Sequence, residues 1–545
     1  MKNCQNISRL NAYHNALQTL QQAGKKLFPV VASNHRTYTA STCTQLSAIS
    51  VASGLPPSGH LSFILSGVDM SFLDLSNEIL LEIINYLQRT CTAILRCSRR
   101  LHGVAGPVLY SSVHLKYPKS YMRFIRTIVR NPDLTAYVRH FRTVGHPYGS
   151  DFDLSFLTLE DRSWVRNQLP DSIYGRSTCN KWFKQMFFSS IVSWLDVPIY
   201  WDAITAFLMT LFAARLATIR IDSCGWNADR YRYIEMVLKS TKSPSRFQHL
   251  EEVTLNPIDN HGTETPVHLI IPYMQVLSVT KFRASNVSLA RVPSKLTFNV
   301  RDLTLDRCLL NGHSLRSFLL CFHSLKHIKY YHTGRDISTL VASDVCRGLA
   351  NSKDILEDLV LVHIPSEVEA WSGNDSAPSD EDGELAASSG ADIEVSKPEV
   401  VESLQLFTKL KFLQIESIFL LPSKSRRHSP QTNFDSLDSC RENDHTALVD
   451  CLPNSLERLT LNISPGTQCY VSQLLSRDML NTNNSGLGSV HLLFRHSYTR
   501  DGKPMKPNIG RLEELRGLTR EEGVDLSWNC MCGLLKPFQC YENFV

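Results

Sequence analysis

The chain has 545 residues, of which 43% are hydrophobic and 20% charged, with a net charge of +5. That is ordinary globular composition, enough for about three or four domains or one long repeat array. So small a charge excludes a general affinity for nucleic acid or membrane surfaces. No run reaches the roughly 18 apolar residues that a bilayer span needs.

Residues 1–69 are rich in Ser, Thr, Asn, Gln and Ala. One short helix is expected in "NALQTLQQAGKKLF"; the rest lacks sustained periodicity and reads as a disordered extension. "LSFILSG" (61–67) is too short to span a membrane, and nothing before it reads as a signal peptide. A reducing compartment, cytoplasm and/or nucleus, is therefore expected. Met70 directly precedes the first well-patterned segment, so a translation start at Met70 is an expectation.

That segment is "FLDLSNEILLEIINYL" (72–87). Ile79, Leu80, Ile83, Ile84 and Leu87 fall on one stripe of a helix. Ser76 or Asp74 supplies an N-cap acceptor, and Glu78 sits where the helix dipole favours negative charge. A second helix is predicted in "TAILRCSRRLHGVA" (92–105), stopped by Gly106 and Pro107, and "VLYSSVHL" then alternates like a strand. So short a pair cannot build a full core alone.

Beyond it one unit recurs: an apolar residue, two others, an apolar residue, one other, an apolar residue. It appears as "LATIRI" (216–221), "LEEVTL" (250–255), "MQVLSV" (274–279) and "VRDLTL" (300–305). It returns as "LKHIKY" (325–330), "LEDLVL" (356–361), "LKFLQI" (410–415) and "LERLTL" (456–461). Each unit ends in a short strand that buries alternate side chains. Helix-like stretches such as 201–216 and 312–324 lie between. Repeats of roughly 25–30 residues have a leucine-rich-repeat period, and stacked units close a core that no unit closes alone. Among the exposed strand positions are Glu252, Thr254, Thr304, Lys326, Lys329, Gln414 and Thr460, mixed in charge and pointing to no ligand class.

Two stretches interrupt this pattern and are expected to be disordered: 366–400, which is strongly acidic, and 422–447, of mixed charge. Ser379 in "SDED" and Ser429 in "RRHSP" read as candidate phosphorylation sites on them. The expected organisation is an extension at 1–69, a helical segment at 70–115 and a first repeat region at 116–365. The acidic insertion follows at 366–400, a repeat at 401–421, the second loop at 422–447, and the repeat end with its cap at 448–545.

Chemistry-bearing motifs are sparse. Cys97, Cys308 and Cys321 sit in apolar runs and read as buried thiols. Cys530, Cys532 and Cys540 lack the spacing and the histidines of a zinc site. His491 and His496 are off metal-ligand helical spacing. No Walker loop, GxSxG, HExxH or dinucleotide fingerprint is present. No catalytic residue, metal or cofactor is expected.

The stretch "LDLSNEILLEIINYL…LRCSRRLHGVAGPVLYSSVHL" (73–115) resembles an F-box of the form common in fungal F-box proteins. "LSNEIL", "CSRRL" and "VLYSSVHL" occupy the family's motif places, with Ser76 where the family has proline. "NPDLTAYVRHFRTV" (131–144) resembles the segment that follows the box in these proteins. The fold this implies is α/β: a small helical F-box followed by an irregular leucine-rich-repeat-like solenoid. The function it implies is substrate recognition in a Skp-cullin-F-box ubiquitin ligase. The box would bind a Skp-type adaptor and, through it, a cullin, and the solenoid would bind a protein target. Carried over by motif, adaptor contact falls on Leu73, Leu75, Ser76, Ile79, Leu80, Ile83, Leu95 and Leu101. On the same grounds Ser76→Pro is expected to strengthen adaptor binding. The alternative is a non-catalytic interaction scaffold that uses the box without a ligase.

Overall fold

The structure is a computed structural model. It describes residues 62–65, 68–71, 76–87, 99–145, 157–187, 197–223, 232–240, 246–257, 265–288, 296–333, 342–364, 404–416, 452–463, 486–494 and 509–530. The chain divides into two compact units, Met1–Tyr110 and Ser111–Val545. Their boundary falls ahead of the 115/116 division expected from the sequence. The acidic insertion at 366–400 and the loop at 422–447 lie outside the described residues, as does the helix expected near the N-terminus.

The first unit opens with an antiparallel hairpin, β1 (Ser62–Leu65) and β2 (Val68–Ser71). Met70 pairs with Phe63 in this hairpin. Structure therefore begins before Met70, and a chain started there would lose β1. The helices α1 (Asn77–Leu87) and α2 (Arg99–Ser111) follow.

The α2 helix corrects the sequence reading. It continues through Gly106 and Pro107, and the "VLYS" expected as strand is its last turn. Proline inside a helix removes one backbone hydrogen bond and costs about 3 kcal/mol. Here Val104, Ala105 and Val108 pack against Ile84 of α1, and that packing offsets the loss.

The second unit is mixed α/β, built on one large parallel sheet. Its elements run β3 (Ser112–Leu115), α3 (Pro118–Arg130), β4 (His140–Val144), α4 (Leu159–Gln168), α5 (Asp171–Tyr174) and α6 (Arg176–Phe187). Then come α7 (Val197–Phe212), β5 (Thr218–Ser223), α8 (Arg232–Leu238), β6 (Glu252–Pro257), β7 (Thr265–Pro266) and α9 (Val267–Met274). β8 (Lys281–Ser285), β9 (Val287–Ser288), β10 (Asp302–Cys308), α10 (Gly312–Leu319), β11 (His327–His332) and α11 (Ala342–Gly348) follow. The last are β12 (Asp358–His363), β13 (Phe412–Glu416), β14 (Arg458–Ile463), β15 (Ser489–Phe494), α12 (Ile509–Glu521) and β16 (Asp525–Cys530).

Apart from the small β7–β9 pair, these strands form one 12-stranded sheet in chain order from β3 to β16, with no closure into a barrel. Every neighbouring pair in it is parallel. Parallel neighbours need a crossover between them; between β10 and β11, for example, α10 supplies it.

The register explains the spacing of the repeated unit. Its middle apolar residue lies in one ladder: Val113, Phe141, Ile219, Val253, Phe282, Leu303, Ile328, Leu359, Leu413, Leu459, Val490 and Leu526. All of them are buried. The unit's first apolar residue, as in Leu216, Leu250, Leu325, Leu356, Leu410 and Leu456, is buried just before its strand. Strand and helix side chains share one continuous core.

One unit sits elsewhere than expected. "MQVLSV" is no strand, because Met274 closes the buried helix α9. The strand is "KFRAS", preceded by buried Val279. The same spacing runs through Val279, Phe282 and Ala284, but the small alanine hides it. "LGSVHL" (487–492) also carries the spacing and forms β15, a strand absent from the expected set.

The largest side chains lock the N-terminal end of this core. Trp201 Nε1 donates to Tyr121 Oη at 2.8 Å, and Tyr121 Oη in turn bonds the Thr143 hydroxyl of β4. Trp182 Nε1 donates to the Ala203 carbonyl at 2.8 Å and its ring stacks on Tyr233. A buried indole needs such a partner for its N–H. Among the described residues, Cys179, Cys308 and Cys321 are buried thiols outside any disulfide, and Cys346 is buried too. Cys97 lies outside them. No described helix is long and apolar enough to cross a membrane.

Candidate functional site

Two regions carry features beyond packing. The first is the helix pair α1–α2. Ser76 stands just before α1, its carbonyl accepting from Leu80 N–H at 3.0 Å. The Glu78 carboxyl is held below its ordinary value by its own backbone N–H and then by the Ser76 hydroxyl. Arg100 of α2 donates to Asn77 Oδ1 of α1 from Nε at 3.3 Å and from Nη2 at 3.0 Å, tying the two helix starts together.

The residues expected to contact an adaptor are distributed unevenly. Ser76 is exposed. Leu80 and Leu101 are buried, at 0% and 3% exposure, so these two side chains are covered before any partner arrives. Ile84 packs with Ala105 between the helices. Ile79 and Ile83 lie on α1, with their side chains outside the described set. Leu73, Leu75 and Leu95, like Ser379 and Ser429, lie outside the described residues.

The second region is a groove of about 490 Å³ over the first strands of the second unit's sheet. Its walls include His114, Lys116, Arg142, Arg220, Arg283 and Arg307, with the acids Asp222 and Asp306. The register builds it. His114, Arg142, Arg220, Thr254 and Arg283 occupy one ladder across β3, β4, β5, β6 and β8. Neighbouring strands lie about 4.8 Å apart, so like charges there repel. Asp222 relieves the first pair. It accepts from Arg142 Nε at 2.8 Å, Arg220 Nε at 3.0 Å and Asn256 Nδ2 at 2.9 Å.

The electrostatics follow from this placement. Burial pushes the Asp222 carboxyl up, but the Asn256, Arg220 and Arg142 donors together outweigh it and hold it below its ordinary value. Burial, and next the Arg142 charge, keep the His114 imidazole below its ordinary value. Asp306 faces Arg283 only at 4.0 Å.

Two groove residues, Asn286 (φ 55°) and Arg307 (φ 53°), hold left-handed backbone conformations. Such conformations are uncommon outside glycine and are kept where the surroundings enforce them. Arg307 lies at the register shift between Leu305 and Cys308, and Asn286 N–H bonds the Asp306 carbonyl at 2.8 Å.

The arginine row went unread in the sequence. Its members come from segments far apart in the chain, and only strand register brings them together. Reading the pattern through to "VRHFRT" and "VTKFRA" would have put Arg142 and Arg283 in the same place of the unit as Arg220 of "LATIRI". Of the strand positions that the sequence did offer as exposed, Thr254 and Thr460 are buried, Thr304, Lys326 and Gln414 are half-buried, and Glu252 and Lys329 are exposed.

Among the described residues no cluster of His, Cys, Asp or Glu could hold a metal ion. His491 instead bonds Ser527 Oγ at 2.8 Å, and burial keeps its imidazole below the ordinary value. No protein-family model matches the chain, and no curated protein sequence matches it.

Proposed function

We propose that the chain is a non-catalytic substrate receptor of a Skp-cullin-F-box type ubiquitin ligase. In this reading α1 and α2 form the F-box and carry a Skp-type adaptor, which brings a cullin. The sheet from β3 to β16 is a leucine-rich-repeat-like solenoid, and its polar strand face takes the protein target. The observation that carries the reading is the strand order. A parallel sheet laid down in chain order, each strand set by the same apolar spacing, is what stacked repeats produce. The short helix pair that precedes it in the chain, with its F-box-like motifs, fits helix-in-groove capture of a partner.

Co-purification tests this reading. The wild-type chain is expected to bring down a Skp-type adaptor and a cullin. Ile79→Asp with Ile83→Asp, which places two charges on the α1 stripe, is expected to lose both. Capture of adaptor without cullin would move the chain to a scaffold role, and capture of neither would remove the F-box reading.

A further inference from the structure

Helix α3, "PKSYMRFIRTIVR", carries four cations and no carboxylate. Tyr121, Met122, Ile125 and Ile128 bury its apolar face in the core of the second unit. Lys119, Arg123, Arg126 and Arg130 turn away from that face, spaced four, three and four residues apart. At 3.6 residues per turn this spacing keeps them on one line about 16 Å long, with one cation per turn. Lys119, Arg123 and Arg130 are exposed, and Arg126 is half-buried.

Among the described residues none of the four cations meets a carboxylate. Glu160 and Asp161 belong to α4, which packs beside α3, but both serve the start of α4. The Thr158 hydroxyl, first among its causes, holds the Glu160 carboxyl below its ordinary value, and Asp161 Oδ2 accepts from Thr158 N–H at 2.9 Å. On α8 and α12, by contrast, exposed cations pair within the helix, Lys239 with Glu235 and Arg516 with Glu513. The Arg126 Nε is buried and has no hydrogen-bond partner among the described residues. Two local effects oppose the row. Like charges three and four residues apart repel, and Lys119 stands in the first turn, at the positive end of the helix dipole. Only Arg130, in the last turn, suits that dipole. Neither the core packing of α3 nor its helix propensity accounts for the row.

We propose that this row docks an acidic α-helix of a protein partner, whose Glu or Asp residues repeat at the same four-three-four spacing. Such a spacing keeps two facing helices in contact turn after turn, as in a coiled coil. A lipid surface fits less well, because the apolar face of α3 is committed to the core and leaves nothing to insert. Nucleic acid also fits less well, since four cations in single file neutralise few phosphates. The inference is independent of the receptor reading: it concerns α3, and its partner is neither the adaptor nor the occupant of the sheet groove.

The test titrates the full chain, at low salt, into a fluorescein-labelled, alanine-rich helical peptide with four glutamates at the spacing of the row. A scrambled peptide of the same composition, a single-stranded RNA and phosphatidylserine vesicles serve as comparators. The row peptide is expected to bind at least about fivefold more tightly than the scrambled one, the combined effect of four exposed ion pairs. Added salt should erase the difference. Lys119→Glu with Arg123→Glu should bring the row peptide down to the level of the scrambled one. Arg220→Gln and Arg283→Gln, in the sheet groove, should change nothing. Equal binding of the two peptides, or tighter binding of the RNA or the vesicles, would overturn the proposal. So would loss of binding in the groove variants, or a charge-reversed chain that melts like wild type and binds like it. If the double variant fails to fold, Arg123→Gln decides the matter, with an expected weakening of about twofold and no weakening counting against the row. Adaptor capture by the charge-reversed chain is measured in parallel and should match wild type; its loss would assign the row to adaptor docking and end the case for a separate partner.

Discussion

Asp202 on α7 is fully buried, and its two carboxyl oxygens accept from the Tyr233 and Ile234 backbone N–H groups at 2.7 and 3.0 Å. It thereby caps α8 from inside the core, satisfying donors that a helix start otherwise leaves open. Burial raises its carboxyl to about 8, against the pull of those two donors. The unfolded chain ionises Asp202 above the ordinary value of 3.8, whereas the native chain keeps the proton to about 8. Its contribution to stability is therefore fully present below 3.8 and is lost as pH rises toward 8. Asp202→Asn leaves one backbone N–H facing an amide N–H and should cost about 1–3 kcal/mol near pH 5. The gap between wild type and variant should narrow from pH 5 to pH 8 in melts run in parallel. A constant gap would contradict the assignment.

Ser76 makes a second case at this scale. The F-box resemblance alone expects Ser76→Pro to strengthen adaptor binding. The structure puts Ser76 at the N-cap of α1, with its hydroxyl on Glu78. Proline is favoured one residue later, at the first helical position. Ser76→Pro is thus expected to lower stability by about 1 kcal/mol and to leave adaptor affinity no higher. Thermal melts and adaptor titration of the same variant check both parts.

At the scale of elements, two glycines separate packing from propensity. A Cβ on Gly348 of α11 would lie 2.9 Å from Leu319 Cβ and 3.0 Å from the Arg316 backbone of α10. Around Gly517 of α12 nothing lies within 4 Å. Alanine favours a helix over glycine by about 1 kcal/mol. Gly517→Ala should therefore raise the melting temperature. Gly348→Ala should lower it, because overpacking of about 1–3 kcal/mol outweighs that gain. Two rises would show that α10 and α11 are not packed this closely.

Elements also show what the sequence could tell. Strands whose unit carries leucine or another large residue at each apolar place, such as β6, β10, β12 and β14, were legible directly. β8 was not, because Ala284 fills the last place and the nearby run "MQVLSV", which begins at Met274, matches the spacing better. The end of α2 was misread because Gly106–Pro107 is a strong local stop, and only its packing on Ile84 overrides it. The arginine row was hidden for a different reason. Charge proximity across parallel strands depends on register, and no local window of sequence contains two members of the row.

At the scale of each unit, the long ordered sheet predicts how damage spreads. In a stack of repeats each unit is stabilised mainly by its neighbours. Leu459, the second residue of β14, is buried between the ladders of β13 and β15. Leu459→Ala should cost about 2–5 kcal/mol. Hydrogen exchange should accelerate most in β13, β14 and β15, with β4 and β5 least affected. Uniform acceleration across the sheet would argue against a stack of neighbour-stabilised repeats.

We propose that α1 and α2 dock an adaptor while the second unit takes the target. Calorimetric titration of the full chain with a Skp-type adaptor tests it most directly. Wild type and the Arg220→Gln and Arg283→Gln variants should bind with the same affinity, and Ile79→Asp with Ile83→Asp should abolish binding. An adaptor that fails to bind the wild-type chain, or that binds the double aspartate variant equally well, would rule out docking through α1 and α2.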